Sequence, residues 1–249
     1  MFDHVSIPTI LISYVALLFS LCVHEASHAA AAYLLDDDTA ARMGRMTLNP
    51  AAHVDLVGTV IFPLLGLFFG GFFIGWAKPV PFDPSRLTRR LRLKVSAALI
   101  SFAGPASNLL QSVLFLVITC FVIKWVAPGT LFRERLFAAA FSGPEELAAA
   151  GARPALILIL GLGGALVRLN VLLAAFNILP IGPLDGAGVL GGFLPDRLQY
   201  KYTRLRYHPY TWMALMLIMI SGLGVYLFAP IQHVTYLLLS PIADLILGP

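Results

Sequence analysis

Residues 7–28 read IPTILISYVALLFSLCVHEASH: a run with no charged side chain from Ile7 to Val23, ending in His24-Glu25-Ala26-Ser27-His28. Continued to about residue 35, it has the length and apolarity of a membrane-spanning helix. On an α-helix, residues four apart lie on one face, so His24 and His28 can share one zinc ion. Glu25 then stands beside that ion, where it can take a proton from a water molecule. A motif this short arises by chance in soluble chains. Inside a membrane segment ionisable side chains are costly and usually functional, so the stretch describes a metallohydrolase working within or just below the lipid surface.

The rest of the composition agrees. Apolar residues make up 59% of the 249, charged residues 12%, and the mean hydropathy is +0.84. A soluble domain of this size needs far more charge on its surface, so an all-α polytopic membrane protein is expected, with roughly four to six transmembrane helices. Apolar segments lie at about 7–35, 56–75, 95–123, 155–192 and 211–229, and a weaker amphipathic stretch at 231–247. No long hydrophilic stretch separates them, so residues 1–249 are expected to form a single integral-membrane domain. The first segment lacks a basic leader and runs straight into the histidines, which argues for a retained helix rather than a cleaved signal. Ser6 and Pro8 suit its start, and Asp36, Asp37 and Asp38 would mark its exit into water. Cys22 and Cys120 form no CxxC pair, so neither a disulfide framework nor a thiolate zinc site is indicated.

Lys and Arg bear on topology. If 56–75 crosses fully, the loops on the two sides carry ten and six basic residues; if it dips and returns, the split is twelve to four. The positive-inside rule prefers the lopsided split, and with it a re-entrant 56–75. The cluster Arg86, Arg89, Arg90, Arg92 and Lys94 should then face the cytoplasm and meet anionic lipid, with no nucleic-acid role.

Catalytic zinc takes three protein ligands and leaves a fourth position open. Position 34, where a third histidine could extend the motif, is Leu34, and the next glutamates (Glu134, Glu145 and Glu146) fall in the polar connection 124–154. His53, in NPAAH at 49–53, and Asp185, in NILPIGPLDG at 177–186, remain. Asp185 is the stronger. It is the one carboxylate between Glu146 and Asp196, and Pro180, Gly182, Pro183 and Gly186 must break the apolar segment around it. Broken helices at membrane depth persist only where they are buried in protein or line a wet cavity, and an ionised carboxylate there needs a cation.

Taken together, HEASH, GRMTLNPAAHVDLVGT at 44–59, AGPASN at 103–108, GWAKPVPFDP at 75–84 and NILPIGPLDG at 177–186 resemble the site-2 protease family of intramembrane zinc metalloproteases. The likeness runs from residue 24 to about 190, and it is closest to small bacterial members without PDZ or CBS modules. Gly182 stands where many relatives carry proline, and Ala187-Gly188 replaces Gly-Arg after the LDG. The resemblance implies Zn2+ held by His24, His28 and Asp185, with Glu25 as general base. It implies cleavage of transmembrane proteins or signal peptides in the lipid bilayer of a bacterial plasma membrane.

Further roles stay open at this point. Asn177 would stabilise an oxyanion or cap the broken helix, and Asn108 would bond a neighbouring helix or touch substrate. His53 would support the site or an interface. Lys78-Pro79-Val80-Pro81 cannot be helical; it would turn the chain, or present Pro79 and Val80 as a strand edge to unwound substrate. Rival functions are a metal-ion pathway, and a relative that binds membrane proteins without cutting them. The oligomeric state is not set by any motif.

Overall fold

The computed structural model describes residues 6–63, 75–206, 208–220, 237 and 239–248. All its regular structure is helical: α1 (Ile7–Leu34), the single turn α2 (Thr39–Arg42), α3 (Leu93–Val126), α4 (Thr130–Ser142), α5 (Pro144–Ala149), α6 (Pro154–Asn177), α7 (Asp185–Phe193), α8 (Asp196–Arg206) and α9 (Pro209–Ile220). Among the described residues α1, α3 and α6 are long and apolar enough to cross a membrane. The protein is an all-helical, polytopic membrane protein. The remainder of the 211–229 segment, and residues 64–74, lie outside the described residues.

These three helices form the frame. Phe19 meets Phe115, His24 meets Asn108 and His28 meets Ile100, so α1 and α3 run antiparallel. Ile12 packs on Ala165 and Leu166, Ser20 meets Asn170, and Leu17 and Leu21 pack on Leu169 and Leu173, so α1 and α6 run parallel. The end of α1 and the start of α3 therefore share a side, and a single crossing by 56–75 is excluded. Trp76 N–H donates to Gly58 O at 3.2 Å and Tyr14 Oη to Thr59 O at 3.3 Å, so the two described ends of the segment meet at one level beside α1. Gly58 permits this closeness, since an added Cβ would sit 2.5 Å from the Trp76 ring and carbonyl.

Residues 36–92 are held to that end by polar groups. Asp37 is completely buried; its carboxylate accepts from Thr39 N–H at 3.0 Å and from Asp83 N–H at 2.6 Å. It staples the returning chain rather than marking an exit into water. Asp38 does face solvent, where hydrogen bonds from Arg42 and then Arg86 hold its carboxyl below the ordinary range. Lys94 reaches Asp196 at 2.6 Å, placing α8 on the same side. That is the twelve-to-four division of basic residues.

The connection 124–154 is more than a polar link. Arg133, Glu134 and Arg135 interrupt the sequence of α4, yet Leu136, Ala139 and Ala140 line one face of it. With Leu147 of α5 they join Leu116, Cys120, Ile123 and Leu160 in the largest buried cluster, and Glu134, Glu145 and Glu146 stay exposed. Residues 239–247 are helical and add Ala243 and Leu247 to that cluster.

Candidate metal centre

Position along α1 sets the depth of the site. At 1.5 Å per residue, His28 and His24 lie about 9 and 15 Å in from the Leu34 end. Antiparallel α3 covers both imidazoles. Gly104 makes that approach possible, because a Cβ there would come within 2.5 Å of His24 Cε1 and of His28 Nε2. Pro105 follows inside the helix, where it deletes one backbone hydrogen bond and loosens α3 at this level. The third element is the break after α6. The helix ends at Asn177, the chain turns through 178–184, and Asp185 opens α7. Gly186 is required by packing, since its Cβ would fall 2.0 Å from Ile178 O.

Three atoms meet at the centre. His24 Nε2 and His28 Nε2 are 3.1 Å apart, and Asp185 Oδ2 lies 3.1 Å from the first and 3.3 Å from the second. What faces inward follows from what faces outward. His28 Nδ1 sits 2.7 Å from Ile100 O, which can only accept, so Nδ1 carries a proton and the neutral ring turns a bare Nε2 inward. His24 Nδ1 likewise faces Asn108 Oδ1 at 2.6 Å. Asp185 Oδ2 is buried and has no hydrogen-bond donor. With both rings neutral, three lone-pair donors point at one another in a buried space, a repulsive arrangement unless a cation sits among them. Tetrahedral zinc with bonds of about 2.0–2.1 Å separates neighbouring ligand atoms by about 3.3–3.4 Å, so the triangle fits that ion closely.

Glu25 competes for the third ligand position. Its carboxylate, with the two histidines, lies in a cluster of donor atoms no more than 4.8 Å apart. Asp185 Oδ2 lies within 3.3 Å of both imidazoles, and Glu25 Oε2 accepts from Val80 N–H at 3.1 Å. Glu25 thus stands beside the triangle that His24, His28 and Asp185 form. His53 is not at the centre either: its Nε2 donates to Thr47 O at 2.9 Å. Cys22 Sγ lies 4.0 Å from the same carbonyl.

This donor set of two helix histidines, an adjacent glutamate and a distant aspartate is that of a metallopeptidase. The model of peptidase family M50 matches residues 12–222 of the chain. The chain belongs to peptidase family M50, the site-2 protease family. It is 29% identical over 219 residues to "Putative zinc metalloprotease YwhC" of Bacillus subtilis (strain 168), covering 88% of this chain and 84% of that one. It is 31% identical over 183 residues to "Putative zinc metalloprotease Rip2" of Mycolicibacterium smegmatis (strain ATCC 700084 / mc(2)155), covering 73% of this chain and 57% of that one. No solved structure matches. This M50 member is a zinc metalloprotease.

The tentative substrate contacts are revised by the geometry. Asn108 is 0% exposed, and both ends of its amide are engaged within the protein, with His24 and with Asn170 Oδ1 at 2.7 Å, so it offers nothing to a peptide. Residues 78–81 are not helical and pass Glu25. Pro79 and Pro81 have no N–H, however, Lys78 N–H is spent on His53 O at 2.8 Å, and Val80 N–H is spent on Glu25. Arg45 also holds the carbonyls of Lys78 and Pro79, at 2.5 and 3.1 Å. A strand edge with no available donor cannot pair with substrate in the ordinary alternating way. Asn177 folds its amide back to Leu173 O at 3.0 Å, the capping alternative. Arg45 and Asn170 were missed. Arg45 sat in a loop rich in other signals, and Asn170 was overshadowed by Asn177, although a polar residue in the apolar 155–192 run was itself a signal.

Proposed function

We propose that this M50 protease is an intramembrane endopeptidase of the bacterial plasma membrane, cutting transmembrane proteins or residual signal peptides. The observation that carries the reading is the depth of the site: His24, His28 and Asp185 converge on spanning or broken helices, about 9–15 Å inside the end of α1. In this proposal those three residues hold zinc. When bound there, zinc supplies Lewis acidity toward a peptide carbonyl and acidifies water.

The chain's own residues do the rest. Glu25 Oε2 is fixed by Val80 N–H, which orients the carboxylate and leaves Oε1 to handle the proton. Oε1 takes a proton from the attacking water and returns it to the amide nitrogen as the C–N bond breaks. The protonated Nδ1 positions of His24 and His28 are anchored to Asn108 and Ile100, so the imidazoles keep their orientation throughout. A helical substrate must unwind to expose its carbonyl.

The test uses the purified protein in detergent with a transmembrane reporter. Glu25→Gln should keep full zinc occupancy, while cleavage falls by about 10²–10⁴-fold, the usual worth of a general base. Cleavage at the parental rate by Glu25→Gln would refute the assignment. Cutting only of soluble, unanchored peptides would refute the intramembrane reading.

A further inference from the structure

Behind His24 lies a chain of polar groups that crosses all three spanning helices at one level. Ser20 on α1, Asn108 on α3 and Asn170 on α6 are each 0% exposed. Asn170 Nδ2 donates to Leu166 O at 2.8 Å and to Ser20 Oγ at 2.9 Å. Asn108 Nδ2 donates to Asn170 Oδ1 at 2.7 Å, and Asn108 Oδ1 faces His24 Nδ1 at 2.6 Å.

The direction of every bond is dictated from the far end. Leu166 O is a backbone carbonyl and can only accept, so the amide nitrogen of Asn170 must face it. Asn170 Oδ1 is thereby turned toward α3, where it needs a donor. That requires Asn108 to present its nitrogen to Asn170 and its oxygen to His24. An oxygen at Asn108 demands a proton on His24 Nδ1, which bares Nε2 toward the ligand triangle. Without this ordering an isolated asparagine could turn either end to the imidazole, and half the choices would put the proton on the nitrogen that should bind metal. His28 needs no such device, because Ile100 O is itself a backbone carbonyl.

We propose that Asn170 is a positioning residue for the zinc site: acting through Asn108, it sets the tautomer of His24. The proposal rests on the reading of His24 as a zinc ligand. It extends it to a residue that touches neither metal nor substrate.

The experiment measures zinc affinity by competition with a chromophoric chelator, on the full-length protein in detergent and without substrate. Asn170→Leu is nearly isosteric and removes both ends of the amide. It should weaken zinc about tenfold, the lower end of what outer partners of metal ligands are worth. Asn108→Asp tests the direction of the bonds, because a carboxylate can only accept and so fixes the His24 tautomer unaided. In that background Asn170 Oδ1 faces another oxygen, so adding Asn170→Leu should leave affinity unchanged or raise it. Ser20→Ala should stay within about twofold of the parent, because Leu166 O still orients Asn170. If Asn170→Leu does not fold, Asn170→Ser replaces it in both backgrounds with the same expectations. An unchanged affinity in the single variant overturns the proposal. So does an equal loss in the Asn108→Asp background, which would show that Asn170 acts by packing. No cleavage is measured, so failure here leaves the Glu25→Gln result standing, and failure there leaves this one standing.

Discussion

At the scale of single residues, the centre depends on close approach as much as on ligands. Gly104 is the clearest case. A methyl group there would press on both imidazoles at about van der Waals overlap, and the neighbouring atoms are ring atoms that cannot swing aside. Gly104→Ala should keep the helical content and lower zinc affinity at least about tenfold, measured by chelator competition. Parental affinity would show that α3 does not close on the site. That His24, Glu25, His28 and Asp185 meet in space was legible in the sequence, because HExxH carries its own geometry and an isolated carboxylate in a broken apolar segment is hard to explain otherwise. Of the two roles open to Asn108 in the sequence, the bond to a neighbouring helix is the one the structure shows, while its partners His24 and Asn170 could not be read from a linear sequence. The third-ligand alternative at His53 could be settled only in three dimensions, by its bond to Thr47 O.

At the scale of elements, the run 78–81 changes meaning once its hydrogen bonds are known. That it is not helical was readable from two prolines, but its partners were not. Val80 N–H serves Glu25, so Val80→Pro, which deletes that N–H from a backbone that is not helical, isolates one bond. A hydrogen bond to a charged group contributes about 1.5–3 kcal/mol, so turnover of a transmembrane reporter should fall about 10- to 100-fold with zinc content unchanged. Turnover equal to the parent's would remove Val80 from the machinery. Arg45 supports the same run. Its buried guanidinium donates to the carbonyls of Ala52, Lys78 and Pro79, joining the chain at 45–52 to the chain at 78–79. Arg45→Met should cost about 3 kcal/mol of stability. Limited proteolysis should then cut within 45–85 well before it cuts α1 or α3; simultaneous loss of all helices would contradict a local clamp. Gly182 stands where many relatives of the family carry proline. It lies against α8, where an added Cβ would meet the Arg206 backbone at 2.4 Å. The helices at 130–149 escaped the reading because Arg133, Glu134 and Arg135 lower the local hydropathy while the buried face of Leu136, Ala139 and Ala140 persists.

At the scale of the whole molecule, α1 and α6 parallel with α3 antiparallel fixes which loops share a side. Charge counting favours the twelve-to-four split of the loops, and the helix directions agree with that split, because a connection that starts and ends on one side cannot cross once. Single cysteines at Arg89 and at Leu131, both on exposed loops or helix faces, should label from opposite sides of sealed vesicles, with Arg89→Cys reached only from the cytoplasmic side. Labelling of both from one side would overturn the topology.

All of these rest on one meeting of three atoms from two distant parts of the chain. Zinc-edge X-ray absorption on the purified protein reads it directly. The parent should show a shell of only nitrogen and oxygen at about 2.0–2.1 Å with two imidazoles. Asp185→Ala should change that shell and lower occupancy, while Glu25→Gln leaves it as it was. A shell altered by Glu25→Gln and indifferent to Asp185→Ala, or one containing sulfur at about 2.3 Å, would contradict the site described for this protein.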